Sequence, residues 1–523
     1  MRIREGIWSF DSRDLMRSQC SHCMRLSVGR ELKIPGVELL VREHYQAPDN
    51  LAIRYGIKYE AQLEKELLLN LDGLVQAPND NSMDSTIELM QQGVPVIYQG
   101  SLRGGSGEVV FSGRPDFLLR ADYRFVFSQA GLTAIPFGND SRGYSAWDAK
   151  LSSSAKPDYQ NQVALYLDVL ESIGLAAKTE HGLILGSREI IGFDPAVLLA
   201  QLAPKRAEFL GAVKKFVDSR PKLLADVGVL ICDASSYCDI CEYPSLCEET
   251  RHESNHLQLV AGITRVQIAS LNRSGVQSVR QLADFSGETD KLSEQKVQQL
   301  SLQARLQQQT YDTGQHFVKV VNQDALDALP KPNNADMFFD LEGFTFFPEP
   351  GGLEYLFGWT SVDKGEEFHH NWADDRQGEK ESFAIFVKEL IHRQQRFPGS
   401  KVYHYANYEQ SALRKLAIRH NIYQVEVQRF LERGVFVDLY KLVKSALVIS
   451  QESYSIKKLE NYYEFKRGSD VKEAMGSMDY YDQYLTALSE DKSQAEMLKR
   501  QVIAYNQDDC ASTLALYKWL LTL

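Results

Sequence analysis

Tyr144-Ser-Ala-Trp-Asp-Ala-Lys150 decides how the first half of this chain is read. The stretch has the composition of a strand, and strand side chains alternate between faces, so Asp148 and Lys150 project to the same side. Upstream, Gly113-Arg-Pro-Asp-Phe-Leu-Leu119 reads as a turn entering a second strand; it adds Asp116 and completes the pattern Asp…Asp-x-Lys. Two carboxylates offer hard oxygen donors for Mg²⁺ or Mn²⁺. A lysine beside them can orient an attacking water and offset phosphorane-like charge. These residue types at this spacing suit hydrolysis of a phosphodiester.

Two flanking segments extend the pattern. Arg54-Tyr-Gly-Ile-Lys-Tyr-Glu-Ala-Gln-Leu-Glu64 reads as a helix start that aims Glu60 at the same metal. In Gln162-Val-Ala-Leu-Tyr166, Gln162 and Tyr166 lie one helical turn apart and share a face, where they can contact the scissile strand or support the lysine. The order Glu60, Asp116, Asp148-Ala-Lys150, Gln162-x3-Tyr166 resembles the RecB-like branch of the PD-(D/E)XK nucleases over roughly residues 10–250. The resemblance implies that Glu60, Asp116 and Asp148 hold the metal. Many members carry a metal-binding His just before the first acid, where this chain has Tyr59, which leaves Glu60 as the ligand. The bland alternative makes Asp116 and Asp148 turn and strand-edge acids and Lys150 a solvated surface residue; a lone Asp-x-Lys would not survive that objection.

The seven cysteines are grouped. Cys238-Asp-Ile-Cys-Glu-Tyr-Pro-Ser-Leu-Cys247 places Cys238, Cys241 and Cys247 on one short loop, and a fourth thiolate would complete a set for zinc or a [4Fe–4S] cluster. One early cysteine plus three late ones resembles the iron–sulfur staple of the AddB-type and CRISPR-associated RecB-like nucleases, in which the cluster ties the domain's ends together. That pattern implies Cys20 as the fourth ligand. Cys23 remains an alternative, as does a zinc site built on Cys20-x2-Cys23. Cys232 and Cys510 read as ordinary buried thiols.

The second half opens at Met337-Phe-Phe-Asp-Leu-Glu342, after Leu329-Pro-Lys-Pro-Asn-Asn334, whose prolines and asparagines disfavour either regular element. Asp340 and Glu342 share one face of a strand. Near the end, Tyr505-Asn-Gln-Asp-Asp509 lies on a helix, with Tyr505 and Asp509 on one face and Asp508 turned about 100° away. Asp-x-Glu on a first strand and Tyr-x3-Asp on a last helix resemble the DEDD 3′–5′ exonucleases of the ribonuclease H-like fold. In that family the acids hold two metals and the tyrosine positions the water. The second motif, in Val402-Tyr-His-Tyr-Ala-Asn-Tyr-Glu409, has Glu409 where Asp is usual and resembles the YprB-type subset; Asp438 is a further candidate ligand or supporting acid. A domain that has lost activity and serves as a scaffold is the alternative.

Between the halves, Val260-Ala-Gly-Ile-Thr-Arg-Val resembles a helix–hairpin–helix element. Gly262 and Gly275 stand at tight turns, and Arg265, Arg273 and Arg280 are near enough to meet phosphates. A plain helical spacer is the competing reading. The expected architecture is α/β. A RecB-like PD-(D/E)XK nuclease domain with an Fe–S staple covers 1–255, a helical helix–hairpin–helix-like connector 256–328, and a ribonuclease H-like DEDD exonuclease domain 335–523.

A chain of 523 residues exceeds one ordinary domain. Its charge of -12 argues against a protein that coats nucleic acid with its whole surface, though not against a local basic groove. No apolar run is long enough for a bilayer, the N-terminal residues lack a secretory pattern, and the expected location is the cytoplasm. The expected substrate is DNA, single-stranded or with free ends; RNA, an RNA–DNA hybrid, or binding without cutting are the alternatives. The two halves together resemble long RecB-like proteins that continue into a superfamily-one helicase. No Walker A sequence occurs here, so a helicase partner is expected on a separate polypeptide.

Overall fold

The structure is a computed structural model describing residues 1–523 except 46–50, 72, 107, 228–233, 350 and 470–473. Cys232 therefore lies outside the described residues. The chain forms two compact units, Met1–Glu253 and Ser254–Leu523, both mixed α/β.

The first unit is built on a six-stranded sheet. In spatial order its strands are Ile190–Phe193, His181–Leu185, Tyr144–Lys150, Phe117–Arg120, Val96–Tyr98 and Val75–Gln76. Tyr144–Lys150 runs parallel to His181–Leu185 and antiparallel to Phe117–Arg120. Alternation sorts the side chains cleanly. Phe117, Leu119, Trp147 and Ile184 pack under Tyr59, Leu63 and Leu67 of the helix Leu51–Asn70. Leu118, Ala146, Leu183 and Leu185 face the opposite layer, where Pro157–Ser172 contributes Val163, Tyr166 and Leu167. Asp148 and Lys150 follow Ala146 in register, so the expected polar face is the one toward the helix that carries Gln162 and Tyr166.

In the second unit a five-stranded sheet has the order Glu367–Trp372, Leu353–Ser361, Met337–Phe344, Val402–His404, Phe436–Asp438. Its first three strands are antiparallel; the last two run parallel to Met337–Phe344 and to each other. The helix Lys492–Leu520 lies against it and Arg376–Arg396 supports it from the cluster around Phe339, Phe357 and Phe386. The Pro-rich segment is irregular, as its prolines predict, yet packed: Leu329 is buried, and Tyr517 donates its hydroxyl to the Pro330 carbonyl at 2.8 Å. The helical region before it has its own small core around Leu257, Leu271 and Leu300. It also joins the sheet-bearing part, through Gln303 to the Ile449 carbonyl (2.7 Å) and through pairing of Val318–Val320 with Leu447–Ile449. Gly262 and Gly275 do occupy left-handed turns, at φ 74° and 84°. Arg273 and Arg280 are engaged by Asp290 and Asp312.

One glycine sets how close the last helix can come. Gly358 pairs with Asp340 across the sheet, and a Cβ on it would overlap the side-chain oxygen of Asn506 on Lys492–Leu520. Gly358→Ala is expected to displace Asn506 and to cost about 1–3 kcal/mol through overpacking, measured by urea denaturation. A cost below about 0.5 kcal/mol would show that the helix tolerates a wider gap.

Candidate nuclease centres

In the first unit the sheet brings Asp116, Asp148 and Lys150 together. The backbone N–H of Ala149 donates to Asp116 Oδ2 at 2.7 Å, that of Asp116 donates to Asp148 Oδ1 at 3.4 Å, and Lys150 Nζ is ion-paired with Asp148. Burial, then the charges of Asp148 and Glu60, push the Asp116 carboxyl well above the usual carboxylate range. Burial alone would lower the Lys150 ammonium, but Asp148 and Asp116 outweigh it and hold the lysine charged. Glu60 reaches this neighbourhood from the other layer, accepting from the Tyr98 hydroxyl at 3.0 Å and from the Gln99 amide. Tyr59 points elsewhere, into the core, and donates to the Leu185 carbonyl.

Gln162 Nε2 donates to Tyr166 Oη at 2.7 Å, so the expected pair forms. The Tyr166 ring lies directly on Gly113, where a Cβ would collide with it; that accounts for glycine at the head of the Gly-x-Pro-Asp segment. A cleft of about 800 Å³ opens beside this pair, and Arg13, Arg103 and Arg114 line it.

Five cysteines from both ends of the unit, Cys20, Cys23, Cys238, Cys241 and Cys247, line one cavity of about 90 Å³. Three sulfurs accept backbone N–H groups: Cys20 from Cys23 (3.4 Å), Cys238 from Ser235 (3.3 Å) and Cys241 from Tyr243 (3.4 Å). The contact with Cys23, helped by the Tyr243 N–H and against burial, holds the Cys241 thiol below its usual range. Soft sulfurs, the donor type that a thiolate-bound metal or cluster would take, thus line one cavity from distant segments, but no three of them lie within 4.8 Å of one another. Cys23 Sγ lies 3.6 Å from the Tyr237 hydroxyl. Cys510 is a buried thiol of the second unit, hydrogen-bonded to the Gly358 carbonyl at 3.3 Å.

The second unit holds the tighter acidic group. Asp340, Glu342 and Asp509 each offer an oxygen, and these oxygens lie within 4.8 Å of one another, the one such set among the described residues. Asn506 Nδ2 donates to Asp340 Oδ2 (2.6 Å), Ser477 Oγ to Glu342 Oε2 (2.8 Å), and Arg467 Nη2 to Asp509 Oδ1 (2.7 Å). Burial, then the charges of Asp509 and Glu342, lift Asp340 well above the usual range; burial and Asp509 push Glu342 up to about 8. Burial also raises Asp509, against the pull of Arg467 and Lys457. Carboxyls that resist ionisation together are ready for a divalent cation, which replaces the shared protons. Tyr505 is raised by burial and by Asp509, Glu342 and Asp340, so it remains a neutral phenol.

Glu409 is buried outside that set, with Oε2 3.1 Å from His404 Nδ1, and its charge still acts on Asp340 and Glu342. Asp438 is the N-cap of Leu439–Ala446: its Oδ1 accepts from the backbone of Ala406, Tyr440 and Lys441 at 3.0–3.3 Å. Sequence reading missed Arg467, Ser477, Asn506 and His404. Asn506 and His404 stood inside quoted motifs, but Arg467 and Ser477 lie in a segment without any pattern.

Residues 337–521 match the model of a family described as the RNase H superfamily. The chain matches no curated protein and no solved structure. The second unit thus carries an RNase H-like domain, the fold of metal-dependent nucleases, which are hydrolases acting on nucleic acid. Its acidic cluster could hold a divalent ion. Among the described residues, no helix is long and apolar enough to cross a membrane.

Proposed function

We propose that the chain is a nuclease with two metal-dependent centres acting on DNA, single-stranded or with free ends. In the C-terminal centre Asp340, Glu342 and Asp509 hold Mg²⁺ or Mn²⁺, Glu409 completes the donor set, Asp438 braces the strand ends, and Tyr505 positions the water for 3′–5′ trimming. The observation that carries this reading is the convergence of three half-buried carboxylates within 4.8 Å in a domain matched to the RNase H superfamily. In the RecB-like N-terminal centre Glu60, Asp116 and Asp148 hold the ion, Lys150 orients the nucleophile, and Gln162 and Tyr166 face the strand in the arginine-lined cleft. The helical region is a helix–hairpin–helix-like connector, and a helicase supplies unwound substrate in the cytoplasm.

Labelled single- and double-stranded DNA and RNA, incubated with Mg²⁺ or Mn²⁺, test the assignment on wild type, Lys150→Ala and Asp340→Asn. Each variant is expected to lose a different part of the product pattern. Identical patterns in wild type and Lys150→Ala would remove the N-terminal centre.

Cys20, Cys238, Cys241 and Cys247 hold a [4Fe–4S] cluster that closes the first unit, with Cys23 beside it. Protein purified without oxygen is expected to be brown, absorbing broadly near about 400 nm, with about four irons per chain. Colourless protein with stoichiometric zinc would overturn the cluster.

A further inference from the structure

Arg467 stands at the C-terminal acids without being one of their expected partners. Its guanidinium is divided: Nε and Nη2 bind Glu460 at 2.7–3.2 Å, and Nη2 also reaches Asp509 Oδ1 at 2.7 Å. Nη1 is buried and has no hydrogen-bond partner among the described residues. A rigid planar group held on one side leaves its other edge fixed in direction. The backbone is fixed as well: the N–H groups of Gly468 and Ser469 donate to the Asp508 carboxylate at 3.2 and 2.8 Å. Asp508, which faces away from the acids, thereby anchors the segment that brings Arg467 toward them. The guanidinium carbon also lies 5.6 Å from the Tyr505 ring centroid, with Lys457 Nζ at 5.4 Å from the same ring.

We propose that Arg467 is a further catalytic residue of this centre, binding a non-bridging oxygen of the scissile phosphate through Nη1; this rests on reading Asp340, Glu342 and Asp509 as the metal-binding acids. An arginine engaged only with Glu460 and Asp509 would need neither a spare buried nitrogen nor an anchored backbone. A phosphate seated at the acid cluster would supply what Nη1 lacks, an anionic acceptor. No proton passes through the arginine. Water oxygen bonds to phosphorus as the P–O3′ bond breaks, the water's proton goes to solvent, and the 3′ oxygen leaves and is protonated from solvent. Arg467 offsets charge on the phosphoryl oxygens throughout.

The test uses the full chain in a Lys150→Ala background with 5′-labelled single-stranded DNA and Mn²⁺. Because Arg467→Ala would strand the buried Glu460, the informative variant is Arg467→Ala with Glu460→Gln, compared with Glu460→Gln alone. The single-turnover rate is expected to fall about 100-fold, while Mn²⁺ binding followed by electron paramagnetic resonance is no weaker. Added ethylguanidinium, but not ethylammonium, is expected to recover at least about tenfold. A rate within about threefold of Glu460→Gln, a parallel loss of Mn²⁺ binding, or a loss that ethylguanidinium leaves unrecovered would each overturn the proposal. Cleavage that needs Asp340 but ignores Arg467 removes the arginine's role alone; cleavage that is absent or ignores Asp340 removes the underlying reading and the proposal with it.

Discussion

Asp340→Asn is expected to make the metal-free protein more stable and the C-terminal centre inert. Three half-buried carboxyls offer oxygens within 4.8 Å of one another; burial and the charges of Asp509 and Glu342 raise Asp340, burial and Asp509 hold Glu342 up to about 8, and burial raises Asp509. The sign follows from the raised values. A carboxyl whose folded pKa lies above its unfolded one contributes stability that is fully present below the unfolded value and is lost as pH rises through the folded one. Metal-free wild type should therefore lose stability between about pH 4.5 and 8 as these groups are forced to ionise. Replacing Asp340 with the isosteric amide removes the carboxyl that burial and its neighbours hold furthest from ionisation, so the variant should lose less, gaining roughly 2 kcal/mol over wild type at pH 8. Mn²⁺ at about 100 times its dissociation constant should stabilise wild type by about 2.7 kcal/mol and leave Asp340→Asn nearly unmoved. Cleavage by this centre should fall on the order of 10³-fold, since metal stabilisation of the transition state is worth several kcal/mol. Denaturation curves at several pH values, with and without Mn²⁺, would show the crossing. A variant less stable than wild type at pH 8 in the absence of metal would contradict the electrostatic account.

Lys150→Ala is expected to act in the opposite direction on stability. Asp148 is 1% exposed and its cation is Lys150, itself 20% exposed. Removing one partner of a buried pair leaves the other uncompensated, at a cost of roughly 3 kcal/mol, or on the order of 10 °C in the melting temperature of the first unit. Divalent metal should restore most of this, because it supplies the missing positive charge to Asp116 and Asp148. Activity should not follow: loss of the group that orients the nucleophile should lower the single-turnover rate of this centre about 10²–10³-fold even with metal bound. The contrast, stability recovered by metal and rate not, is read by thermal denaturation beside cleavage. Recovery of both would reduce Lys150 to a counter-ion.

Where local geometry makes a pattern, the sequence was enough to find it. Asp148 and Lys150 share a strand face, Asp340 and Glu342 another, and Gln162/Tyr166 and Tyr505/Asp509 are helical neighbours. Each pairing follows from a period of two or of about four, and each is where that period puts it. Partners that the chain brings in from afar carry no such signal: Arg467 meets Asp509 across 42 residues and Ser477 meets Glu342 across 135. Asp438 shows a second limit. An acid following a short strand reads equally as a ligand or as a helix cap, and only the three backbone N–H groups on its Oδ1 display the capping. The role of Gly358 was illegible for a third reason, since what excludes a methyl group there is an atom of a helix more than a hundred residues later in the chain.

The helix Lys492–Leu520 has a mechanical consequence. Tyr505, Asn506 and Asp509 ride on one stiff rod, and its far end, Leu516 and Leu520, is seated among Leu326 and Leu329 just before the first strand. Leu520 lies eleven positions beyond Asp509, about 16 Å along the axis. A packing change at that seat would not distort one side chain at the acids; it would swing all three together, as a lever moves about its pivot. The spacing on which two-ion chemistry depends is therefore adjustable from an apolar socket that never touches an ion, and natural variation in rate could be written there.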